Sequence, residues 1–212
     1  IPAAAGNTTV QMAGWYNKEI NRTADLNGMK MRIPGLGGEV LKRACGTPVN
    51  LPGGELFTSL KTGAIDATEW VGPYNDLAFG LYKAAKYYYY PGWHEPGTTL
   101  EAIINKKAFD ALPKDLQSIV ENACRMVNQE MTLEYAAKNN AALDTLVNKH
   151  KVAVRKLPDD VLHKLKELSH DVVTELAAKN KAAQKIYDSY NKFYTQVSAW
   201  HEISEKIYYN VR

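Results

Sequence analysis

The sequence has 212 residues, of which 45% are hydrophobic, and this is enough to bury a core in one large domain or two small ones. Its 26 lysines and arginines against 23 acidic residues leave a formal charge of +3. The cations are spread along helical segments instead of forming a basic stripe, which argues against nucleic acid as a partner. No run approaches the roughly 20 apolar residues that cross a bilayer. The first residues lack the pattern of a signal peptide, so we expect the targeting signal to lie outside this chain.

The two cysteines lack any spacing typical of metal or redox motifs. Cys45 and Cys124 lie far apart in the sequence. We interpret them as small buried side chains, with a disulfide between them as the alternative.

The first hundred residues alternate short extended and short helical patterns. Turn residues such as Pro34-Gly35 and Gly63 punctuate this alternation, and a β-α-β-α-β rhythm predicts a parallel sheet. The predicted elements are a strand over Met29–Ile33, a helix over Gly37–Ala44, an extended piece over Pro48–Leu51, a helix over Gly54–Thr62 and a strand over Ile65–Trp70. The last strand is expected to end by presenting the Glu69 carboxylate beside the Trp70 indole.

The remainder is mainly helical. A strand over Leu100–Ile104 precedes a helix that opens at Pro113 and continues to about Lys149 without a proline. Helices much beyond 25 residues are unusual within one compact lobe, so we expect this one to run between two lobes. A last short strand over Val152–Arg155 and amphipathic helices over Pro158–Ala178 and Lys181–Tyr209 complete the chain.

The last helix carries an apolar and aromatic stripe. Such a stripe typically packs on its own protein, and the alternative is a partner chain. Its members are Ile186, Tyr190, Phe193, Tyr194, Val197, Trp200, Ile203 and Ile207.

The polar residues favour binding over catalysis. The sequence has no phosphate-binding loop, nucleophile elbow or His-Glu-x-x-His motif. Asp66 and Glu69 would point to different faces of a strand, which disfavours a glycosidase-type pair. His94 lies beside Glu95 in a turn rich in proline and glycine, but one such pair is weak support for acid–base catalysis. We therefore predict no catalytic residues.

Four segments, in this order and spacing, are similar to the extracytoplasmic solute receptors of tripartite ATP-independent periplasmic (TRAP) transporters. The resemblance covers nearly the whole chain and is to the branch that binds 2-oxo acids and lactate-like monocarboxylates. The segments are Gly6–Trp15 (GNTTVQMAGW), Asp25–Gly38 (DLNGMKMRIPGLGG), Asp66–Asp76 and Tyr90–Gly97.

The resemblance implies a two-lobed α/β periplasmic-binding-protein fold. It has mixed sheets, a long helix between the lobes and a helical C-terminus, and it implies that an N-terminal part of one lobe is missing here. Residues 1–95 would form mainly the second lobe with the ligand-binding segments. Residues 96–150 would form a crossing strand and the spine helix of the first lobe, and residues 151–212 a second-lobe strand and the C-terminal helices.

The resemblance also implies the site residues. Arg32 would hold the substrate carboxylate, in agreement with the fit of a guanidinium fork to a carboxylate. Gln11, Glu69 and the main-chain carbonyl of Trp70 would hold a sodium or calcium ion. Gln11 would also contact the substrate, as would the Trp70 indole, and Glu95 would lie in the pocket.

The implied function is a periplasmic receptor that binds a small monocarboxylate such as pyruvate or lactate and delivers it to the TRAP permease, without chemistry. A homodimer through the C-terminal helix is a further expectation. The alternatives are a metal-dependent enzyme acting on 2-oxo acids and a receptor for another organic acid. Thr9 and Ala13 depart from the family pattern, since relatives commonly have glycine there, and added methyl groups could alter the fit of the ion.

Overall fold

The computed structural model describes residues 1–212, and the chain divides into two compact units, Ile1–Lys166 and Glu167–Arg212. All strands lie in the first unit. They are β1 (Pro2–Val10), β2 (Gly14–Tyr16), β3 (Lys30–Arg32), β4 (Thr47–Val49), β5 (Ala67–Thr68), β6 (Tyr87–Tyr90), β7 (Gly97–Ile103) and β8 (Ala153–Lys156).

Helices occur in all the predicted regions, and two short ones, over Pro73–Phe79 and Lys106–Asp110, were not predicted. Short 3-10 turns flank several of them, and no helix has an apolar stretch long enough to cross a membrane. They are α1 (Gly35–Arg43), α2 (Leu56–Thr62), α3 (Pro73–Phe79), α4 (Lys106–Asp110), α5 (Lys114–Asp144), α6 (Asp159–Ala178), α7 (Lys181–Ile203) and α8 (Glu205–Val211).

Six strands form a mixed sheet in the order β4-β3-β5-β2-β6-β8. Strand β3 pairs in parallel with both β4 and β5, so the predicted parallel arrangement is confirmed for these three strands. Strand β2 runs antiparallel between β5 and β6, and β8 is parallel to β6. The sequence did not predict β2 or β6, which lie between β5 and the edge strand β8.

The core of the sheet is aromatic. The rings of Trp15 on β2 and Tyr88 on β6 are stacked with centroids 4.1 Å apart, and both side chains are fully buried. Leu60, Leu81 and Leu146 are also fully buried and belong to the same cluster. This packing holds β6 against β2, and β2 pairs with β5, after which Glu69 follows.

The other two strands, β1 and β7, form an antiparallel pair that packs on the long helix α5. A Cβ atom at Gly6 would lie 2.7 Å from the Met131 sulfur, so a larger residue there would displace the Met131 side chain of α5. The predicted long helix is confirmed, since α5 is continued to Lys149 by a π-helical turn over Thr145–Lys149.

The second unit contains the end of α6 and the helices α7 and α8. The predicted single helix to Tyr209 is wrong, because Ser204 leaves the helical conformation and separates α7 from α8. The aromatic stripe does not pack within this unit: Tyr190 and Phe193 are 64% and 65% exposed. An apolar hollow of about 300 Å³ lies beside it, lined by residues such as Leu176, Ile186 and Tyr190.

The cysteines are free. Cys45 is exposed, so its expected burial is wrong, and its φ of 65° places it in the left-handed turn that follows α1. Cys124 is half-buried on α5. The two residues therefore act neither as a disulfide nor as a buried pair.

Thr9 lies at an irregularity near the end of β1. Its φ is 58°, the left-handed region that a β-branched residue rarely adopts. Its backbone N–H donates to the Asn7 side chain over 2.8 Å, which helps to hold this conformation. Threonine at this position, in place of the glycine implied by the family pattern, therefore carries a conformational cost.

We expect Thr9→Gly to stabilise the protein by about 0.5–1 kcal/mol, because glycine adopts positive φ without a steric penalty. The free energy of unfolding from urea titrations would measure the effect. Asn7→Ala, which removes the supporting acceptor and keeps Thr9, should destabilise the protein. A Thr9→Gly variant that is no more stable than the parent would contradict the strain at this position.

Candidate functional site

A buried ion pair joins the ends of two neighbouring parallel strands. Arg32 ends β3 and Glu69 follows β5, and because the strands are parallel their carboxyl ends meet at one edge of the sheet. The Arg32 Nη1 donates to Glu69 Oε1, and the side chains are 12% and 3% exposed. The strand predicted over Ile65–Trp70 is shorter than expected, since β5 covers only Ala67–Thr68, and Glu69 and Trp70 follow its end.

Arg32 is oriented by two further contacts. Its Nε donates to the Leu51 carbonyl over 3.2 Å, and its guanidinium lies 5.7 Å from the centre of the Trp70 ring. Trp70 is itself packed against Phe79 and against Gly53, where a Cβ would lie 2.9 Å from the indole. The indole therefore forms a wall beside the guanidinium.

Glu69 uses its two carboxylate oxygens differently. Oε1 accepts from Arg32, while Oε2 lies 3.4 Å from His94 Nε2 in a contact that lacks hydrogen-bond geometry. The backbone of Glu69 is also fixed, because its N–H donates to the Arg32 carbonyl over 3.3 Å and the Thr68 hydroxyl donates to its carbonyl over 2.9 Å. The carboxylate is rigidly placed and has one oxygen available.

The Gln11 side chain is held in one orientation by two threonines. Its Nε2 donates to the hydroxyls of Thr8 and Thr98 over 2.9 and 2.8 Å. Those hydroxyls donate in turn to the Thr9 carbonyl and to Glu95, so they can only accept from the amide. The opposite atom, Gln11 Oε1, is buried and has no hydrogen-bond donor in the protein.

Glu95 is joined to Gln11 through the shared Thr98 hydroxyl. Ligand atoms of Glu69, His94 and Glu95 all lie within 4.8 Å of one another. The structure thus joins Arg32 to Glu69 and Trp70, and it joins Gln11 to Glu95, whose carboxylate lies near that of Glu69. It adds His94 and Thr98: sequence reasoning noted His94 only as a weak acid–base candidate and did not find Thr98, for which no motif gives a signal.

This arrangement fits the cation that the resemblance implies. A buried amide oxygen without a donor and two carboxylates are oxygen ligands of the kind that hard cations take. A hollow of about 440 Å³ in the first unit touches the site only at Gln11. Apart from Gln11, Asn139 and Asn140 its lining is apolar or aromatic, so the charged groups lie at the strand ends and not in this hollow.

A second buried carboxylate supports the segment that follows Glu69. Asp76 on α3 is fully buried and accepts hydrogen bonds from the Trp15 indole over 2.9 Å and the Tyr88 hydroxyl over 2.8 Å. It also accepts from the backbone N–H of Val71 over 3.2 Å. Asp76 therefore ties α3 and the strand-end segment to the aromatic core.

The model of the family described as bacterial extracellular solute-binding protein, family 7, matches residues 3–180. The chain belongs to this family. Its predicted membership of the solute receptors is thereby confirmed.

The relatives of this family 7 chain include solute-binding proteins with identified ligands. It is 43% identical over 206 residues to the monocarboxylate 2-oxoacid-binding periplasmic protein of Nostoc sp., a match that covers 97% of the chain and 56% of the relative. A TRAP solute-binding protein of Colwellia psychrerythraea with bound calcium and pyruvate is 40% identical, with a TM-score of 0.95 over 100% of the chain and 64% of that protein. A TRAP solute-binding protein of Pseudoalteromonas atlantica with bound sodium and pyruvate is 41% identical. Its TM-score is 0.92 over 99% of the chain and 64% of that protein.

These likenesses confirm the predicted α/β fold of a TRAP solute-binding protein. The chain spans between 56% and 64% of the length of these relatives. The residue roles that the resemblance implied, and the division into residues 1–95, 96–150 and 151–212, stay predictions.

Asp76 predicts a pH dependence of stability. Burial raises the pKa of Asp76 from its ordinary 3.8 to about 6, although its three donors oppose the rise. Because the pKa of Asp76 is higher in the folded protein than in the unfolded chain, its carboxyl stabilises the fold fully when the pH is below the unfolded pKa. This stabilisation is lost as the pH rises through the folded pKa. We expect Asp76→Asn to gain about 2–3 kcal/mol relative to the parent between pH 4 and pH 7.5.

Urea unfolding of both proteins across this pH range would measure the difference. A difference between parent and variant that stays constant with pH would contradict the raised pKa. Asp110→Asn, at an exposed position on α4, is the control and should give a nearly constant difference.

Proposed function

We propose that the protein is a periplasmic receptor of a TRAP transporter that binds a small monocarboxylate, such as pyruvate or lactate, together with a cation and delivers it to the membrane permease. The observations that carry this proposal are the buried Arg32–Glu69 pair and the buried Gln11 oxygen, which has no donor in the protein. The relatives with bound pyruvate and calcium or sodium support it. Binding would occur without turnover.

The Arg32–Glu69 pair gives this proposal a mechanism of exchange. Without ligands, Arg32 and Glu69 neutralise each other. With ligands, Arg32 would hold the carboxylate of the acid and Glu69 would hold the cation. A carboxylate alone would leave Glu69 facing a second negative charge, and a cation alone would leave Arg32 facing a second positive charge. Together they replace one ion pair with two, so acid and cation would bind cooperatively.

The charges of the site favour a divalent cation. Arg32 offsets one of the two carboxylates of Glu69 and Glu95, and a bound monocarboxylate adds another negative charge. A calcium ion would neutralise the remainder, whereas sodium would leave one negative charge in a buried place. Between the two ions implied by the resemblance, we therefore propose calcium.

The exposed aromatic stripe of α7 supports the proposal of a homodimer. Tyr190, Phe193 and Trp200 are each more than half exposed and lie on one helix with an adjacent apolar hollow. Large aromatic side chains are enriched at the centres of protein interfaces. We propose that a second copy of this chain covers the stripe.

Arg32→Gln should weaken pyruvate binding in calcium buffer by about 10–100-fold, because a charge-assisted bond to the carboxylate is lost. The same variant should bind calcium more tightly than the parent in the absence of acid, because Glu69 loses its competing partner. Isothermal titration calorimetry of the full-length protein would measure both affinities.

Lys30→Gln is the matched control, since it removes the same charge from the exposed start of the same strand. Unchanged pyruvate affinity in Arg32→Gln would refute the role of Arg32. Conversion of pyruvate in the sample, followed by proton NMR, would instead favour a metal-dependent enzyme.

The double variant Tyr190→Glu, Phe193→Glu should raise the dissociation constant of the dimer at least about 100-fold, because two buried aromatic contacts would be replaced by charges. Light scattering over a dilution series would measure this. Asn191→Glu, an exposed position on the same helix, is the control and should dimerise like the parent. A parent protein that has the mass of one chain at all concentrations would disprove the dimer.

A further inference from the structure

The Gln11 amide belongs to a small polar network whose hydrogen bonds have a fixed direction. Gln11 and Thr8 are 4% and 5% exposed, so their polar atoms have little access to water. The Gln11 Nε2 donates to the Thr8 hydroxyl over 2.9 Å and to the Thr98 hydroxyl over 2.8 Å. Both amide protons are therefore used, while Oε1 has no donor in the protein. If the amide were turned over, its N–H groups would lie where the oxygen now lies.

The Thr8 hydroxyl opposes such a turn because its hydrogen-bonding capacity is full. A hydroxyl has one proton to donate and two lone pairs that accept. The Thr8 oxygen accepts from Gln11 Nε2 and from the Thr98 backbone N–H over 3.0 Å, and it donates to the Thr9 carbonyl over 3.2 Å. It could donate to the Gln11 oxygen only by giving up the Thr9 carbonyl.

The Thr98 hydroxyl opposes the turn more strongly because its proton goes to a carboxylate. It donates to Glu95 Oε1, and an ionised carboxylate can only accept. Hydrogen bonds with one charged partner are roughly twice as strong as those between neutral groups. The Thr98 oxygen is thus left as an acceptor, and it receives an amide proton from Gln11. Glu95 therefore acts on Gln11 through Thr98.

An irregularity of β1 brings Thr8 and Gln11 to the same side. Residues an odd number apart point to opposite faces of a regular strand. The pairing of β1 with β7 shifts its register around Thr9, whose φ is positive. Thr8 and Gln11 consequently both contact Thr98. The same irregularity that strains Thr9 thus allows one threonine of β7 to hold the Gln11 amide.

We propose that Thr98 is a positioning residue of the cation site: its hydroxyl, directed by Glu95, fixes the Gln11 amide so that the oxygen is presented to the cation. A hard cation takes oxygen ligands and is repelled by N–H groups, so this orientation decides whether Gln11 assists or opposes binding. The inference rests on the proposed function, in which the Gln11 oxygen binds the cation. It also gives Glu95 an effect on the cation that requires no contact with it.

Calorimetry of the full-length protein with Ca²⁺ in saturating pyruvate tests the effect on the cation. Thr98→Val keeps the shape of the side chain and removes the hydroxyl, and it should lower the calcium affinity at least about 10-fold. Thr98→Ser keeps the hydroxyl and should bind calcium nearly as tightly as the parent. Thr99→Val, at the exposed neighbouring position of β7, is the matched control and should bind like the parent. Unchanged calcium affinity in Thr98→Val, or an equal loss in Thr98→Ser, would overturn the proposal.

NMR of the metal-free protein reports the orientation of the amide itself, which a general loss of stability would not change. The side-chain amide signals of Gln11, identified by their loss in Gln11→Glu, should show nuclear Overhauser contacts to the β protons of Thr8 and Thr98. The contacts to Thr8 should weaken in Thr98→Val, because the amide then populates both orientations, and persist in Thr98→Ser and Thr99→Val. Absence of the contacts in the parent, or contacts of unchanged strength in Thr98→Val, would contradict the role of Thr98.

This inference and the proposed function fail separately. A parent that binds neither calcium nor pyruvate, with amide contacts that are present and sensitive to Thr98→Val, would refute the proposed function while the orienting effect of Thr98 stands. A parent that binds calcium and pyruvate, with equal calcium affinity in Thr98→Val, would refute only the role of Thr98.

Discussion

The site depends on one buried ion pair at the edge of a parallel sheet. Removing a guanidinium and a carboxylate from water is costly, and replacing such a pair by apolar residues is often neutral or stabilising. Arg32 and Glu69 are therefore poor candidates for stabilising the fold. Their pairing depends on the parallel register of β3 and β5, which brings Arg32 opposite Thr68 and so places Glu69 one residue beyond it. The surrounding contacts from Leu51, Trp70 and Thr68 all serve to hold these two charges in place.

The sequence predicted the two strand ends of this part of the site because their signals are local, whereas the role of Arg32 came from the family resemblance. Pro34-Gly35 marks the end of one strand, Gly63 marks the end of the helix before the next, and parallel strands present their carboxyl ends together. Gln11 came only from the family resemblance. The orientation of its amide depends on Thr98, which is remote in sequence and reaches Gln11 only because β1 and β7 pair. Such a contact has no pattern in the sequence.

The errors in the fold have similar causes. Strand β2 has only three residues, too few for a periodic pattern to be recognised, and its burial comes from the neighbours on both sides. The helical pattern around Ser204 continues without a proline or glycine, yet the backbone leaves the helix there. The sequence shows His94 only beside Glu95, whereas in the structure its Nε2 also lies 3.4 Å from Glu69 Oε2, a residue that follows a different strand.

The chain enters and leaves the six-stranded sheet side by side, and this has a mechanical consequence. Val10 pairs with Gly97, the Gln11 N–H donates to the Pro96 carbonyl over 3.0 Å, and the Gly92 N–H donates to the Gln11 carbonyl over 3.1 Å. Gln11 and Glu95 thus lie on the two adjacent crossings between β1–β7 and the larger sheet. A change in the angle between the β1–β7 pair and the larger sheet would be a rotation about these two crossings. Such a rotation would change the spacing between the polar groups of Gln11 and Glu95.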